Sequence, residues 1–435
     1  MNILYLHSHD TGRWVEPYGH SVATPRLQQL AAEGVLFRQA FCTNPTCSPS
    51  RASLLSGQWP HSCGMLGLAH RGFAMNDYSE HLVQILIEAG YRTYLSGIQH
   101  EAEDWRTVGY HECIGDRPDA HTRAAEFLRS APAVSKMGAS HSDAAQPFFL
   151  SVGFFETHRE FPELDSDDEA LYVQPPAVYP NAPETRRDFA RFRKSAALLD
   201  DKIGTVLDAL DESGLRDNTL VICTTDHGPA FPRMKCNLTD HGMGVMLILR
   251  GPGGFDGGRI IDGMVSQIDI LPTLCELIDL PAPEHAQGHS LMPLVRDECD
   301  EVNDAIFAEV NFHGSYEPVR CVRTHRWKYI RRYYEGYLPS CDVGETRSRW
   351  LERGWADRPL PAEELYDLEL DPSERTNLAA DAHFAPVRDP LAGRLDEWML
   401  QTDDPLLNGP IFQPPGTRLL DEPNCQSDAK IPLDL

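Results

Sequence analysis

Short apolar runs alternate with helical patterns over the first 300 residues of the chain. Residues 2–8 and 35–41 are apolar and β-rich, and between them Thr24 and Pro25 are typical of a helix start and Gly34 of a helix end. Further strands are predicted at 91–96, 148–153, 220–225 and 245–249, and further helices at 81–89, 185–210 and 268–278. This alternation predicts an α/β fold in which a large, mostly parallel sheet is sandwiched by helices.

The pattern changes after about residue 300. Three β-rich segments follow one another without long intervening helices, at 305–310, 318–322 and 328–333. They predict a small antiparallel sheet, and a final helix is predicted near 390–399, with Pro390 in its first turn. We therefore divide the chain into an α/β domain at 1–300 and a small-sheet subdomain at 301–435.

Composition narrows the class of protein. The 435 residues are 41% hydrophobic and 24% charged, which is typical of a soluble globular protein. No run approaches the roughly 18 apolar residues of a membrane span, and the first residues do not resemble a secretory signal. The eleven cysteines are odd in number and irregularly spaced, which favours a reducing compartment. We therefore expect a cytoplasmic protein.

The net charge of the chain limits the kinds of molecule that it is expected to bind. The chain has 39 basic and 65 acidic residues, a formal net charge of −26, which disfavours binding to nucleic acid or to anionic membranes. An anionic substrate must then be held by a locally basic pocket, which favours a small molecule or a chain end. The basic residues of the small sheet could line such a pocket, but we favour the amphipathic outer face of the sheet as their position: Arg320, Arg323, Arg326, Lys328, Arg331 and Arg332.

Polar side chains follow three of the predicted strands. His9 and Asp10 follow the first, His158 follows the 148–153 strand, and Asp226 and His227 follow the 220–225 strand. Ligands bind beyond the carboxyl ends of such strands, so these residues are candidates for a metal site. Carboxylates favour a hard divalent cation, and imidazoles favour manganese or zinc. The alternative for either single pair is an ordinary turn.

A second motif begins at Cys47. Pro49 and Gly57 frame a short helix with Cys47 at its N-terminus, where free N–H groups and the helix dipole favour an anion. Arg51 lies one turn further on the same face, so its side chain can reach the residue-47 side chain. A cysteine at a helix start is on its own more often an inert thiol, but the run Cys-x-Pro-x-Arg is much more specific.

With these motifs the sequence resembles the sulfatase family, in which Cys-x-Pro-x-Arg directs oxidation of the cysteine to formylglycine. The matching motifs occur in family order along nearly the whole chain: Thr24-Pro25, Gly97 to His100, Thr157-His158, Thr225 to Gly228, Asp269 to Thr273 and Leu365 to Leu368. Smaller matches resemble the members that act on N-sulfated glucosamine. The resemblance implies an alkaline-phosphatase-like fold and maturation by a formylglycine-generating enzyme.

The resemblance also implies the chemistry. One hydroxyl of a hydrated formylglycine attacks sulfur, and the other then expels sulfate by re-forming the aldehyde. The implied ligands of one divalent ion, with calcium expected and manganese or zinc as alternatives, are His9, Asp10, Cys47, Asp226 and His227. Arg51 would assist the attack, His100 and His158 match the active-site histidines that protonate the leaving group, and Lys235 would bind a sulfate oxygen.

Two positions depart from the family pattern. Family members usually begin with paired aspartates, where this chain has His9-Asp10, and that removes one negative charge from the metal site. They also usually carry lysine where this chain has Ile98, and that removes a cation that would contact sulfate.

Three functions remain open. The first is a hydrolase of a sulfuric ester or sulfamate that acts on a small sulfated substrate, expected to be a sugar. The second is a phosphonate monoester or phosphodiester hydrolase of the same fold, because both substrates present a tetrahedral anion. The third is a non-catalytic binder of sulfated sugar with Cys47 unmodified, which the intact motif and the four other candidate ligands disfavour.

Overall fold

The structure is a computed structural model that describes residues 1–131, 146–335, 338–417 and 419. The strands are β1 (Asn2–Ser8), β2 (Val35–Phe41), β3 (Arg92–Gly97), β4 (Glu112–Gly115), β5 (Phe148–Gly153), β6 (Thr219–Thr225), β7 (Leu247–Arg250), β8 (Arg259–Ser266), β9 (Ile306–Phe312), β10 (Tyr316–Arg323), β11 (Trp327–Arg332) and β12 (Glu363–Asp367). The helices are α1 (Pro25–Glu33), α2 (Cys47–Ser56), α3 (Pro60–Cys63), α4 (Leu82–Glu88), α5 (Trp105–Val108), α6 (Ala120–Ser130), α7 (Pro183–Glu212), α8 (Asp240–Met243), α9 (Ile270–Leu277), α10 (Met292–Val295), α11 (Glu345–Glu352) and α12 (Ala385–Gln401). Short 3-10 helices lie at Glu16–Tyr18, Ala69–Arg71, Tyr78–Glu80, Asp167–Ala170, Arg216–Asn218, Gln267–Asp269, Ala382–Phe384 and Pro405–Asn408.

The large sheet has eight strands in the order β4-β3-β5-β1-β6-β7-β2-β8. Neighbouring strands are parallel, except that β7 runs antiparallel to both β6 and β2. A separate antiparallel sheet has the order β12-β11-β10-β9. The predicted fold class, a large and mostly parallel sheet with helices and a small C-terminal antiparallel sheet, is confirmed.

Strand β1 shows why helices cover both faces of the large sheet. Successive side chains of a strand point to opposite faces, so Ile3 and Tyr5 pack in one cluster with residues of α2, α4 and α9. Leu4 and Leu6 pack in a second cluster with residues of α1, α6 and α7. Because β1 is buried on both faces, its sequence is a nearly continuous apolar run.

The small sheet shares a core with the large one. The cluster that contains Tyr5 also contains Ile306 of β9 and Val319 of β10, and α12 covers the small sheet with Leu395 and Trp398. No helix in the described ranges has the length and the apolar composition that crossing a membrane requires.

The predicted start of the last helix was wrong. Helix α12 begins at Ala385 with Pro386 in its first turn, and Pro390 lies inside the helix. Proline 386 suits the first turn, where an N–H has no intrahelical acceptor, and Pro390 then removes only the bond to the carbonyl of residue 386. The first of two closely spaced prolines therefore starts the helix.

The interpretation of the basic run as an outer face was also wrong for three of its six members. Arg320 and Lys328 are fully buried, and Arg323 is nearly so. Arg320 is paired with Glu309 and Asp404, and Lys328 with Asp240 and Glu374. Buried cations of this kind require partners that come from distant parts of the chain.

Candidate active site

The carboxyl ends of β1, β5 and β6 bring three polar turns together. Strand β1 pairs with β5 on one side and with β6 on the other, with Ser8 opposite Thr225. The backbone N–H groups of Asp10 and His227 both donate to Oδ1 of Asp226, at 2.8 Å each. One carboxylate oxygen thus ties the turn after β1 to the turn after β6.

All five predicted metal ligands lie in one buried cluster. The ligand atoms of His9, Asp10, Cys47 and Asp226 lie within 4.8 Å of one another. His227 joins them, because its Nε2 is 3.4 Å from Oδ1 of Asp10 and 3.5 Å from Sγ of Cys47. Each of these side chains is almost fully removed from solvent.

The cluster fits a divalent cation. Nε2 of His9 has no hydrogen-bond partner within the described residues, and Nδ1 of His9 and Oδ1 of Asp10 have only long contacts, at 3.3 Å to Oδ2 of Asp226 and at 3.4 Å to Nε2 of His227. All three atoms are buried. Buried polar atoms without a partner are rare in proteins, and a bound cation would satisfy these. Asp10 and Asp226 supply the negative charge that a divalent ion requires, and the imidazoles of His9 and His227 add borderline-soft donors.

Cys47 is the first residue of α2, which ends at Gly57 with φ 67°. All ten residues of the helix are buried, so Cys47 is held rigidly against the ligand cluster. Burial raises the pKa of the Cys47 thiol well above its usual value, although Lys235 opposes the shift. An unmodified Cys47 is therefore a protonated thiol and a poor nucleophile.

Arg51 holds Asp226 in position. Its NH2 donates to Oδ2 of Asp226 at 2.9 Å and to the carbonyl of Ser8 at 2.8 Å. Burial alone would raise the pKa of Asp226, but His227 and Arg51 outweigh it and hold that pKa well below its usual range. Arg51, which the sequence predicts to lie beside residue 47, thus donates in this structure to Asp226, a predicted metal ligand.

His7 contacts the guanidinium of Arg51, and it is not among the residues that the sequence predicts for the site. Its Nδ1 lies 2.5 Å from NH1 of Arg51, and its Nε2 lies 3.0 Å from Oγ of Ser151. Burial and the Arg51 charge lower the pKa of His7 well below its usual value, so its Nδ1 accepts from the guanidinium. The available signal was a histidine that directly follows four apolar residues, Ile3 to Leu6, within a buried strand.

Lys235 lies between two buried carboxylates. Its Nζ is 2.9 Å from Oδ2 of Asp10 and 2.9 Å from Oδ2 of Asp342. Burial would raise the pKa of Asp342, and Lys235 lowers it below its usual value. Asp342 follows the small-sheet strand β11, and nothing in its local sequence indicates that it reaches the active site.

Three imidazoles lie around the buried ligands. The rings of His100 and His158 each lie 5.8 Å from the ring of His9. His100 adopts φ 68°, and its Nε2 lies 2.9 Å from Nδ1 of the exposed His70, on which it stacks. Burial lowers the pKa of His100 well below its usual value. Nε2 of His158 lies 3.4 Å from Nζ of Lys235.

The structure thus brings together every residue that the sequence predicts for the site. His70, which the sequence reasoning missed, links His100 to solvent. The arrangement combines side chains that can hold a cation, a cysteine at a helix N-terminus and imidazoles that can transfer protons.

Comparisons with known proteins identify the family. The sulfatase family model matches residues 2–280, and a model described as N-sulphoglucosamine sulphohydrolase, C-terminal, matches residues 234–338. The human N-sulphoglucosamine sulphohydrolase is 29% identical over 94% of this chain and 92% of its own length. A Delta 4,5-hexuronate-2-O-sulfatase of Bacteroides thetaiotaomicron is 24% identical over 91% of this chain and 88% of its own length.

Solved structures show the same fold. A 2-O GAG sulfatase superposes with a TM-score of 0.71 at 20% identity, covering 95% of each chain. A protein solved in complex with its substrate D-glucosamine-2-N,6-O-disulfate superposes with a TM-score of 0.69 at 18% identity, covering 94% of this chain and 99% of that one. Since the family model matches well over half of its residues, this chain belongs to the sulfatase family, the hydrolases of sulfuric esters and sulfamates.

Proposed function

We propose that this chain hydrolyses the sulfamate or a sulfate ester of a small sulfated sugar, with N-sulfated glucosamine as the favoured substrate. The proposal depends on one observation: Cys47, at the N-terminus of α2, lies beside four potential metal ligands at the ends of β1 and β6. The choice of sugar is supported by the likeness to the human N-sulphoglucosamine sulphohydrolase and by the matching C-terminal model.

Cys47 is proposed to be oxidised to formylglycine by a formylglycine-generating enzyme. A hydrated formylglycine would supply two hydroxyls on one carbon, one for attack on sulfur and one for release of sulfate. The motif Cys-x-Pro-x-Arg and the unreactive, protonated state of the buried thiol support this modification. Mass spectrometry of the tryptic peptide 39–51 tests it, and a fully active protein that retains the thiol would contradict it.

One divalent ion is proposed to be held by His9, Asp10, Asp226 and His227 together with residue 47. Such an ion would lower the pKa of the attacking hydroxyl and polarise the sulfate. Calcium is the ion expected, with manganese and zinc as alternatives because of the two imidazoles. Elemental analysis of the purified protein and of Asp226→Ala tests the site, and full occupancy in the variant would mean that the ion lies elsewhere.

The remaining residues position these groups and move protons. Arg51 fixes Asp226, and the hydrogen bonds of Lys235 favour a role in fixing Asp10 rather than direct contact with sulfate. His100 is proposed to protonate the leaving amine or alcohol, because its partner His70 is exposed and can resupply the proton from solvent. Burial lowers the pKa of His100, and the negative charge of a bound sulfate would act in the opposite direction and favour the protonated imidazole. His158 is the alternative acid, although the ammonium of Lys235 faces its Nε2.

Leaving-group dependence separates the two histidines. General acid catalysis is typically worth about 10²–10⁴-fold, and it matters most for a poor leaving group. His100→Gln should therefore slow turnover of glucosamine N-sulfate far more than turnover of nitrophenyl sulfate, whose leaving group needs no proton. His158→Gln is the matched comparison. Equal losses on both substrates in both variants would exclude proton donation by either residue.

The substrate panel tests the function itself. We expect the matured protein to turn over glucosamine N-sulfate faster than any phosphate diester. A strong preference for phosphodiesters over every sulfated sugar would indicate a phosphodiester or phosphonate monoester hydrolase instead. Binding of sulfated sugar without turnover, with the thiol intact, would indicate a non-catalytic binder.

A further inference from the structure

A cavity lies apart from the active-site cluster, between residues 177–180, the loop at 233–239 and residues of the segment 330–375. It has a volume of about 660 Å³, and none of the proposed catalytic or metal-binding residues is among its lining. Six arginines line it: Arg233, Arg332, Arg349, Arg353, Arg358 and Arg375. We call it the arginine cavity.

The arginine cavity has an excess of positive charge. Among the described residues only two acidic ones line it, Glu364 and Glu374, and each is already paired, with Arg332 at 2.6 Å and with Lys328 at 2.9 Å. The three exposed arginines of the lining, Arg353, Arg358 and Arg375, form no ion pair with any residue in the described ranges. In a chain of net charge −26, where acidic partners are plentiful, this is a local exception that favours an anionic ligand.

Aromatic rings accompany the arginines. The rings of Trp350 and Trp355 lie 5.3 Å apart at 79°, and Tyr179 lies 5.5 Å from Trp350. Both tryptophans are only partly buried, so part of each indole ring is open to a ligand. Indole rings offer flat apolar surfaces for the C–H faces of sugar rings, and guanidinium groups bind carboxylates and sulfates through two parallel hydrogen bonds. A cavity lined by both indole rings and guanidinium groups is suited to binding an acidic saccharide.

The cavity lies close to the active site along the chain. Pro339 belongs to its lining, and Asp342, three residues later, contacts Lys235. Three residues span at most about 11 Å, so the rim of the cavity is within a few sugar units of the proposed sulfate site. A monosaccharide in the active site would leave the cavity empty, and a longer saccharide has the length to reach it.

We propose that the arginine cavity binds the anionic sugar units, uronate or sulfated, that adjoin the sugar whose sulfate is cleaved. The inference rests on the proposed function and names its substrate class: the end of an acidic oligosaccharide rather than a free monosaccharide. It also identifies the locally basic pocket that the acidic surface of the chain requires for an anionic substrate.

The test compares two substrates in two double variants. Arg353→Ala/Arg358→Ala removes two exposed, unpaired cations, and Arg106→Ala/Arg123→Ala removes two exposed cations outside the cavity as a control with the same net charge. The substrates are glucosamine N-sulfate and a tetrasaccharide of alternating uronate and N-sulfated glucosamine with the latter at its reacting end. We expect KM for the tetrasaccharide to rise about tenfold in the cavity variant only, with turnover of the monosaccharide unchanged.

Calorimetric binding of the tetrasaccharide to Cys47→Ala protein, with and without the two cavity substitutions, gives a readout that needs no turnover. Weaker binding on loss of the arginines supports the cavity even if the protein cleaves no sulfated sugar, in which case the proposed function alone fails. Unchanged KM and unchanged binding would overturn the inference, as would equal losses in the control. Tighter binding of an oligonucleotide than of the tetrasaccharide would also overturn it.

Discussion

Replacing Lys235 with methionine tests how the active site balances its buried charges. Nζ lies 2.9 Å from a carboxylate oxygen of Asp10 and 2.9 Å from one of Asp342, and the three side chains are 1%, 0% and 0% exposed. Methionine keeps an unbranched apolar stem and removes the charge, so two carboxylates stay buried without their shared cation. Removing one partner of a buried ion pair typically costs about 3–5 kcal/mol, and we expect the free energy of unfolding to fall by about that amount.

Two further measurements show whether the lost stability comes from charge. Lys235→Met/Asp342→Asn removes one of the stranded carboxylates, and we expect it to be more stable than Lys235→Met by about 1–3 kcal/mol, the usual coupling between contacting residues. Calcium should raise the stability of Lys235→Met, because a bound cation would pair with Asp10. A ligand at about 100 times its Kd stabilises the folded state by about 2.7 kcal/mol.

Urea unfolding in chelator and in calcium provides the assay, with Lys194→Met as the control. Lys194 forms a single ion pair with Asp165 at the surface, and its loss should change stability little. If Lys235→Met were as stable as this control, the charge argument would be refuted. If stability and calcium binding were unchanged and KM alone rose, Lys235 would contact sulfate, as the sequence resemblance implies.

Three other substitutions have defined outcomes. Arg51→Lys loses the planar fork that donates to Asp226 and Ser8, and we expect both metal occupancy, measured by elemental analysis, and kcat to fall at least about tenfold. His7→Phe removes the acceptor of a buried guanidinium N–H, so the free energy of unfolding in urea should fall by about 1–3 kcal/mol. Burial lowers the pKa of His81 from 6.5 to about 3, so below pH 6.5 the unfolded chain binds a proton that the folded chain does not. Stability therefore falls as the pH falls, by up to about 1.4 kcal/mol per unit for this residue. His81→Asn should reduce the slope measured between pH 6.5 and 5 by about 1 kcal/mol per unit, because the unfolded imidazole is only half protonated at pH 6.5.

The parts of the site that follow strand ends were predictable from the sequence. Apolar runs with few polar residues identify strands buried on both faces, and the carboxyl ends of parallel neighbours meet at one edge of a sheet. His9 and Asp226 could therefore be expected near each other although more than 200 residues separate them. The bounds of α2 were also predictable, because Pro49 and Gly57 are local signals for its two ends.

Residues that enter the site from outside this pattern were not predictable. Asp342 contacts Lys235 across 107 positions, and the segment between β11 and α11 has no local feature that indicates the contact. The burial of Arg320 and Lys328 was not predictable for the same reason, because the sequence around them is typical of solvent-facing cations. Their burial depends on Asp404 and Glu374, and each of those carboxylates reaches them from more than 40 residues further along the chain.

The two departures from the family pattern offset each other in charge. The sequence resemblance implies that His9 stands where an aspartate is usual, which removes one negative charge beside the proposed cation. It implies also that Ile98 stands where a lysine that contacts sulfate is usual, which removes one positive charge. The net charge of the site is then the same as in the usual pattern, although its distribution differs. We expect His9→Asp alone to raise calcium affinity and to raise KM for a sulfated sugar, because the added negative charge attracts the cation and repels the substrate. Adding Ile98→Lys to that variant should bring KM back down, and calcium titration with substrate kinetics on the three chains checks both effects. The same KM in all three chains would show that the two positions are independent of substrate charge.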